Sequence, residues 1–172
     1  IGIRDWSSDV CSSDLGEWIG SGRVDVGLLH NPEAQPALQI APLLDEHLCL
    51  VEPVAGQRRG RSARPAPAKG TRSTGQGPVL RPALPLRQLS GYPLIMPERG
   101  HSIRRLIDTQ ATLAGIRLDI AWEVSGIPSI IDLVCAGYGH AVLARSAVHA
   151  SARASELAMR PLTDPPVVSV LC

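Results

Sequence analysis

The stretch from Glu123 to Arg145 constrains the fold more than any other part of this sequence. It contains an apolar strand end, the loop Ser125–Pro128, a stripe of apolar residues at helical spacing, glycines at 137 and 139, and a second apolar run. Pro128 suits a first helical turn and Gly137 suits a helix end. The order predicts part of an α/β unit whose loop points at a helix N-terminus, where open α/β sheets bind small ligands. No residue in it suggests catalytic machinery, so we expect recognition rather than turnover.

The residues before this stretch predict the same alternation. Tyr92–Met96 has the pattern of a short strand, and Ser102 stands at an N-cap position ahead of a helix over Ile103–Ala114. Gly115 is placed to end that helix, and Leu118–Val124 has the pattern of a further strand. Strand, helix, strand, helix and strand from residue 94 to residue 144 predict a parallel sheet with right-handed crossovers.

The two ends of the chain do not continue this alternation. Further strands are predicted at Val24–Leu29, Ala37–Leu44, Glu46–Val51, Leu157–Leu162 and Val167–Leu171. We therefore expect two lobes, with 84–149 forming lobe two and the segments 16–53 and 150–172 forming lobe one.

Residues 54–83 differ in composition from the rest of the chain. The segment is rich in Pro, Gly, Ser and Arg, and from Gln57 to Ala83 it has no acidic residue and few apolar ones, which predicts a flexible loop. A basic tract can contact nucleic acid electrostatically. Because no aromatic residue is interleaved for base stacking, a solvated insertion is the favoured interpretation. The formal net charge of +1 gives no case for nucleic-acid binding by the chain as a whole.

Residues 1–15 have neither helical nor strand periodicity. They carry a repeated Ser-Ser-Asp and resemble the translation of a sequencing-library adapter, although a natural Ser/Asp-rich tail is the alternative. The adapter interpretation predicts that native sequence begins near Gly16, that the gene is interrupted at its 5′ end, and that lobe one is incomplete.

Several classes of protein are disfavoured by composition. The four cysteines are scattered without metal-ligand spacing, so neither a zinc site nor a disulfide framework is indicated, and no cofactor is expected. No apolar run has the length of a membrane span, and no leader is visible at the start, so a cytoplasmic location is expected. Serine, histidine and aspartate are available for catalysis at Ser102, His140 and Asp132. There is, however, no GxSxG elbow, P-loop or suitably placed GxGxxG, so we expect no enzyme.

Four segments taken in order resemble the effector-binding domain of LysR-type transcriptional regulators. They are Gly22–Leu29, Pro42–Pro53, Leu89–Pro97 and Leu133–Leu143. No single motif decides, but the ordered set is fairly specific and covers nearly everything from residue 16 onward. The resemblance implies two Rossmann-like lobes joined by two crossing strands, as in type 2 periplasmic solute-binding proteins. It also implies a homodimer or homotetramer that binds promoter DNA through an N-terminal helix-turn-helix, of which this sequence contains nothing. A solute-binding protein of a transporter is the alternative.

In such a fold the ligand lies between the lobes, against loops at strand ends. The predicted ligand-binding residues are Asn31, Pro32, Pro97, Arg99, His101, Ser102, Ile103, Ser125, Gly126, Ile127 and Ala144. The N–H groups at the starts of two helices, the hydroxyls of Ser102 and Ser125, and the positive charges of Arg99, His101 and Arg104 favour an anionic ligand such as a carboxylate. Each also has a plainer interpretation: Ser102 as a helix cap, Arg99 and Arg104 as solvated charges, and Ser125 as a strand end.

Overall fold

The computed structural model describes residues 12–54 and 77–172 of the chain. Helices are α1 Ser12–Gly20, α2 Ser102–Ala114, α3 Ile127–Cys135 and α4 Arg145–Ala150, with short 3-10 helices at Leu86–Gly91 and Ala154–Glu156. Strands are β1 Leu44–Pro53, β2 Val79–Leu80, β3 Leu84–Pro85, β4 Pro93–Met96, β5 Asp119–Glu123, β6 His140–Ala144, β7 Leu157–Thr163 and β8 Val168–Leu171. The region from residue 84 to the end therefore contains the predicted helices and strands, and in addition strand β3 and helix α4, which were not predicted.

The predicted parallel sheet is present. Strand β4 lies between β5 and β6 and runs parallel to both, with Leu94 opposite His140 in β6 and Ile120 in β5. The path of the sheet is β2-β7-β1-β6-β4-β5, with β3 on β7 and β8 on β1. Because the three parallel strands share a direction, their carboxyl ends meet at one edge, where Pro97, Val124 and Arg145 follow them.

Strand β1 is long and joins two regions of pairing. Its first residues, Leu44–His47, pair with β8, whereas Leu48–Val51 pair with β6 and Cys49–Pro53 with β7. Strand β1 thus crosses from the β8 pairing to the sheet that contains β4–β6, and β7 runs beside it. Strands β1 and β7 were both assigned to lobe one from the sequence. The division into lobes stays a prediction, and in it these two strands must be treated as crossing strands. Residues 55–76 of the predicted 54–83 loop lie outside the described residues, while Val79–Leu80 form β2 on β7.

The sheet separates two apolar clusters because successive strand residues point to opposite faces. On one face, Leu48 and Leu50 pack with Ile103 and Ile107 of helix α2. On the other face, Cys49 and Val51 pack with helix α3, through Ile130, Ile131, Val134 and Cys135. Full burial of each aliphatic side chain contributes roughly 1.5–3 kcal/mol. The two helices are consequently held on opposite faces of the sheet, with both N-termini near its carboxyl edge.

The prediction of a buried strand at Val24–Leu29 is wrong. This segment is irregular, and Val26 and Leu28 are 83% and 60% exposed. Among the described residues, no strand pairs along this segment. Its last residue, Leu29, exchanges two backbone hydrogen bonds with Cys172, and an isolated bridge joins His30 to Leu171. Without neighbours on both sides an apolar run cannot satisfy its backbone as a central strand. For the same reason the strand predicted over Ala37–Leu44 is irregular until residue 44.

None of the helices in the described part of the chain combines the length and the apolarity that crossing a bilayer requires.

Candidate functional site

The loops after β4 and β5 carry many of the predicted ligand-binding residues, and they are joined. The Ser125 hydroxyl donates to Oε1 of Glu98 at 2.5 Å, and the N–H of Val124 donates to the Met96 carbonyl at 3.0 Å. Gly126 has a φ of 85°, a conformation that glycine adopts without steric cost, and it caps α3. The structure thus brings Pro97, Ser125, Gly126 and Ile127 to one edge of the sheet.

Helix α2 begins differently from the prediction. The N-cap is His101 rather than Ser102, because His101 Nδ1 accepts the Ile103 N–H at 3.2 Å. Burial of the imidazole, together with nearby His30 and Arg105, lowers the pKa of His101 below its usual value. A neutral ring keeps the Nδ1 lone pair that this cap requires.

Ser102 is consequently released from capping. Its side chain lies in the first turn of α2 and the residue is only 7% exposed. Among the described residues, its hydroxyl has no hydrogen-bond partner. A serine hydroxyl without an internal partner in the first turn of a helix is a good place for a ligand oxygen.

The positive charges near this edge are not equivalent. Arg99 is exposed, as its plainer interpretation predicted. Arg104 is only 2% exposed, so its interpretation as a solvated charge is wrong. Its guanidinium donates to Asp108 and Glu123 at 2.9 Å each and to the Pro97 carbonyl at 3.1 Å. With these contacts it anchors the loop after β4 instead of offering a free charge to a ligand.

Segment 30–33 lies beside the start of α2. Glu33 Oε1 is 3.7 Å from Nη1 of Arg105, and His30 is close enough to His101 to influence its titration. Asn31 sits in this segment with a φ of 47°. The first turn of α2 and this segment therefore face each other.

A small polar cluster fixes segment 30–33 to the crossing strand. His30 Nε2 lies 3.6 Å from Oε2 of Glu46, a side chain that is 7% exposed, and His30 Nδ1 lies 3.3 Å from the Ser169 hydroxyl. The Asn31 amide donates to the same hydroxyl at 2.9 Å and accepts the Val170 N–H at 2.8 Å. The polar atoms of Asn31 are thus engaged in holding the segment to β8.

The remaining predicted residues provide shape rather than polar groups. Ile103 and Ala144 are 5% and 3% exposed and belong to the core cluster under α2. Ile127 packs against the opposite cluster. Pro32 lines a cavity of about 530 Å³ between α1 and the irregular residues 24–27 and 37–41, which none of the other predicted residues lines.

Two residues of this region were missed from the sequence. Arg105 follows His101 by four positions, so helical periodicity could have placed both on one face. Glu33 faces Arg105 only because of the tertiary fold, and no local pattern indicates it. Within residues 12–54 and 77–172, no group of three or more His, Cys, Asp or Glu side chains is arranged to hold a metal ion.

Comparison with known proteins identifies the fold and the family. Residues 76–172 match the family described as the LysR substrate binding domain. The HTH-type transcriptional regulator BbuR of Bordetella bronchiseptica is 24% identical over 163 residues, which are 95% of this chain and 44% of that protein. The chain thus spans somewhat less than half the length of this curated relative.

Solved structures share the fold at low sequence identity. A C206 mutant of Corynebacterium glutamicum OxyR superposes with a TM-score of 0.70 at 20% identity, over 94% of this chain and 45% of that one. The Synechocystis PCC6803 CcmR regulatory domain in complex with 2-PG superposes with a TM-score of 0.66 at 16% identity, over 94% of this chain and 68% of that one. The predicted resemblance and α/β fold class are confirmed, and the chain belongs to the LysR substrate binding domain family.

Proposed function

We propose that this chain is the effector-sensing part of a LysR-type DNA-binding transcriptional regulator. A small anionic ligand, such as a carboxylate, would bind between segment 30–33 and the edge formed by Pro97–Ile103 and Ser125–Ile127. The observation that carries the proposal is Ser102 in the first turn of α2, which faces segment 30–33. The residue is only 7% exposed, and its hydroxyl makes no hydrogen bond within the described part of the chain.

The chemistry of this edge favours negative charge. Helices α2 and α3 both begin here, and helix N-termini stabilise anions through their N–H groups and their dipoles. His101, Arg99 and Arg105 add nitrogen donors around the start of α2. The family relationship supports a ligand-binding role, and the solved CcmR regulatory domain was obtained with a bound small molecule, 2-PG.

Binding would regulate by shifting a conformational equilibrium. A ligand that contacts both segment 30–33 and α2 stabilises the arrangement in which they are close, in proportion to its differential affinity for that state. Because β1 and β7 connect the two sides, they are the elements about which such a movement would occur. The shift would change how a homodimer or homotetramer binds promoter DNA. A helix-turn-helix, in sequence outside this chain, would make the DNA contacts. The regulator would act in the cytoplasm.

Binding rather than catalysis also agrees with the positions of the candidate catalytic residues. The Asp132 carboxylate is ion-paired with Arg153 at 2.8 Å. His140 begins β6 opposite Leu94, whereas Ser102 follows the far end of β4. These three side chains are therefore not set out as a nucleophile, a base and an orienting acid.

Isothermal titration calorimetry of the 172-residue chain tests the proposal. The panel is benzoate, succinate and 2-PG, and we expect at least one to bind. Ser102→Ala should weaken that binding by about fivefold, the value of one hydrogen bond of about 1 kcal/mol. Ser90→Ala, at an exposed position ahead of β4 and so at the opposite edge of the sheet, is the matched control and should leave binding unchanged. A correctly folded chain that binds no member of the panel would count against the proposal.

A further inference from the structure

We propose that Arg105 is the cation that receives the effector's negative group, and that Glu33 occupies this cation when the effector is absent. The inference rests on the proposed function, because it assigns the contact and the competitor within that same cleft. It makes Glu33 an internal counter-ion that an anionic ligand must displace.

The contact between the two residues is suited to displacement. Arg105 Nη1 and Glu33 Oε1 are 3.7 Å apart, and the side chains are 43% and 79% exposed. A pair of this length and exposure is screened by water and contributes little stability. A ligand carboxylate that also contacts the Ser102 hydroxyl gains a second interaction that Glu33 does not make, so it can replace the weak contact of Glu33 with Arg105.

The other two arginines at the start of α2 are less suited to bind the ligand's negative group. Arg104 makes three hydrogen bonds, to two carboxylates and the Pro97 carbonyl, and it is 2% exposed. Arg99 is exposed in the loop. Arg105 alone among these three combines exposure with a contact to segment 30–33.

The surroundings of Arg105 add to the case. His101 lies one helical turn before it, and beyond the effect of burial both His30 and Arg105 are near enough to His101 to lower its pKa. Two carboxylates face them, Glu33 on Arg105 and the buried Glu46 on His30. Glu46 is held beneath the segment, so Glu33 is the exposed acid that a ligand would replace.

Three variants of the 172-residue chain separate the roles. Glu33→Gln removes the competitor and should tighten binding of the best member of the benzoate, succinate and 2-PG panel by roughly two- to fivefold. Arg105→Gln removes the receiving charge and should weaken it by at least roughly tenfold, the value of a charge-assisted hydrogen bond. Arg117→Gln makes the same change of charge at an exposed site beyond the far end of α2 and should change affinity less than about twofold.

The outcomes distinguish this inference from the function on which it rests. If the wild-type chain binds a ligand and Arg105→Gln and Arg117→Gln change that affinity equally, the inference is overturned but the proposed function stands. Weaker binding by Glu33→Gln shows that Glu33 contacts the ligand and also overturns it. A panel that binds neither the wild-type chain nor Glu33→Gln overturns both. Binding gained by Glu33→Gln alone supports the inference directly.

Discussion

Replacing Arg104 with methionine should destabilise the chain more than any other single change of a charged residue near the site. The guanidinium is buried, and two of its three hydrogen bonds fasten helix α2 to the Pro97 carbonyl and to Glu123 at the end of β5. The third goes to Asp108 within the same helix. Methionine keeps most of the buried apolar stem but none of the donors. The loop that ends at His101, ahead of Ser102, would therefore lose its anchor.

The size of the destabilisation depends on whether each acceptor can find a new hydrogen-bond donor after the substitution. The buried Pro97 carbonyl loses its charged donor, at a cost of about 1–3 kcal/mol. The carboxylates of Asp108 and Glu123 are each 43% exposed and regain water, so each lost contact costs only about 0.5–1 kcal/mol. The sum is a loss of roughly 2–5 kcal/mol in the free energy of unfolding, or roughly 4–20 °C in Tm for a domain of this size.

Urea unfolding followed by circular dichroism measures the difference. Arg117→Met, at an exposed position, is the control and should change the free energy of unfolding by less than about 0.5 kcal/mol. If Arg104→Met and Arg117→Met are equally stable, the buried ion-pair network does not hold the loop and the reasoning is refuted.

Three further predictions concern titration, thiol reactivity and packing. The pKa of His101 is lower in the folded chain than in the unfolded chain. As pH drops below about 6.5, the imidazole is therefore protonated in the unfolded state before the folded state, and the free energy of unfolding should fall. His101→Asn keeps a capping acceptor that does not titrate, so its free energy of unfolding should fall less than the wild type's between pH 7.5 and 5.5; parallel pH profiles would contradict this. Burial raises the pKa of the Cys49 and Cys135 thiols to about 11, so peptide mapping after brief iodoacetamide treatment at pH 7.5 should find both largely unlabelled, with labelling only in urea. Rapid labelling of either thiol in the native chain would show that it is not buried. In Gly139→Ala the new Cβ would lie 2.8 Å from the Pro93 carbonyl, which should cost about 1–3 kcal/mol by urea unfolding. Gly91→Ala meets nothing within 4 Å, and equal stability of the two alanine variants would count against the close packing.

The fold of the region after residue 84 could be predicted because its local signals agree. The helix over Ile103–Ala114 has an apolar stripe and ends at Gly115, which adopts a φ of 66° as a helix-ending glycine does. The predicted parallel order follows from the alternation of such elements. In contrast, Val24–Leu29 has the composition of a central strand but lacks neighbouring strands among the described residues, and pairing cannot be read from composition.

The sequence predicted which loops follow the parallel strands, but not the polar contacts that their residues make. Ser102 is the commoner capping residue by preference, so the sequence favoured it over His101, which caps the helix in the structure. Arg104 and Arg105 are adjacent and chemically identical. Only the fold shows that Arg104 turns inward to Glu123 while Arg105 faces Glu33, because both acids are distant in sequence.

The location of ligand binding is the claim on which the account depends most. It is tested most directly by recording amide shifts of the ¹⁵N-labelled chain during titration with the panel member that binds. We predict the largest changes at residues 30–33, 97–105 and 125–127. Changes confined to residues 24–27 and 37–41, which line the apolar cavity beside α1, would place the ligand elsewhere and contradict the account.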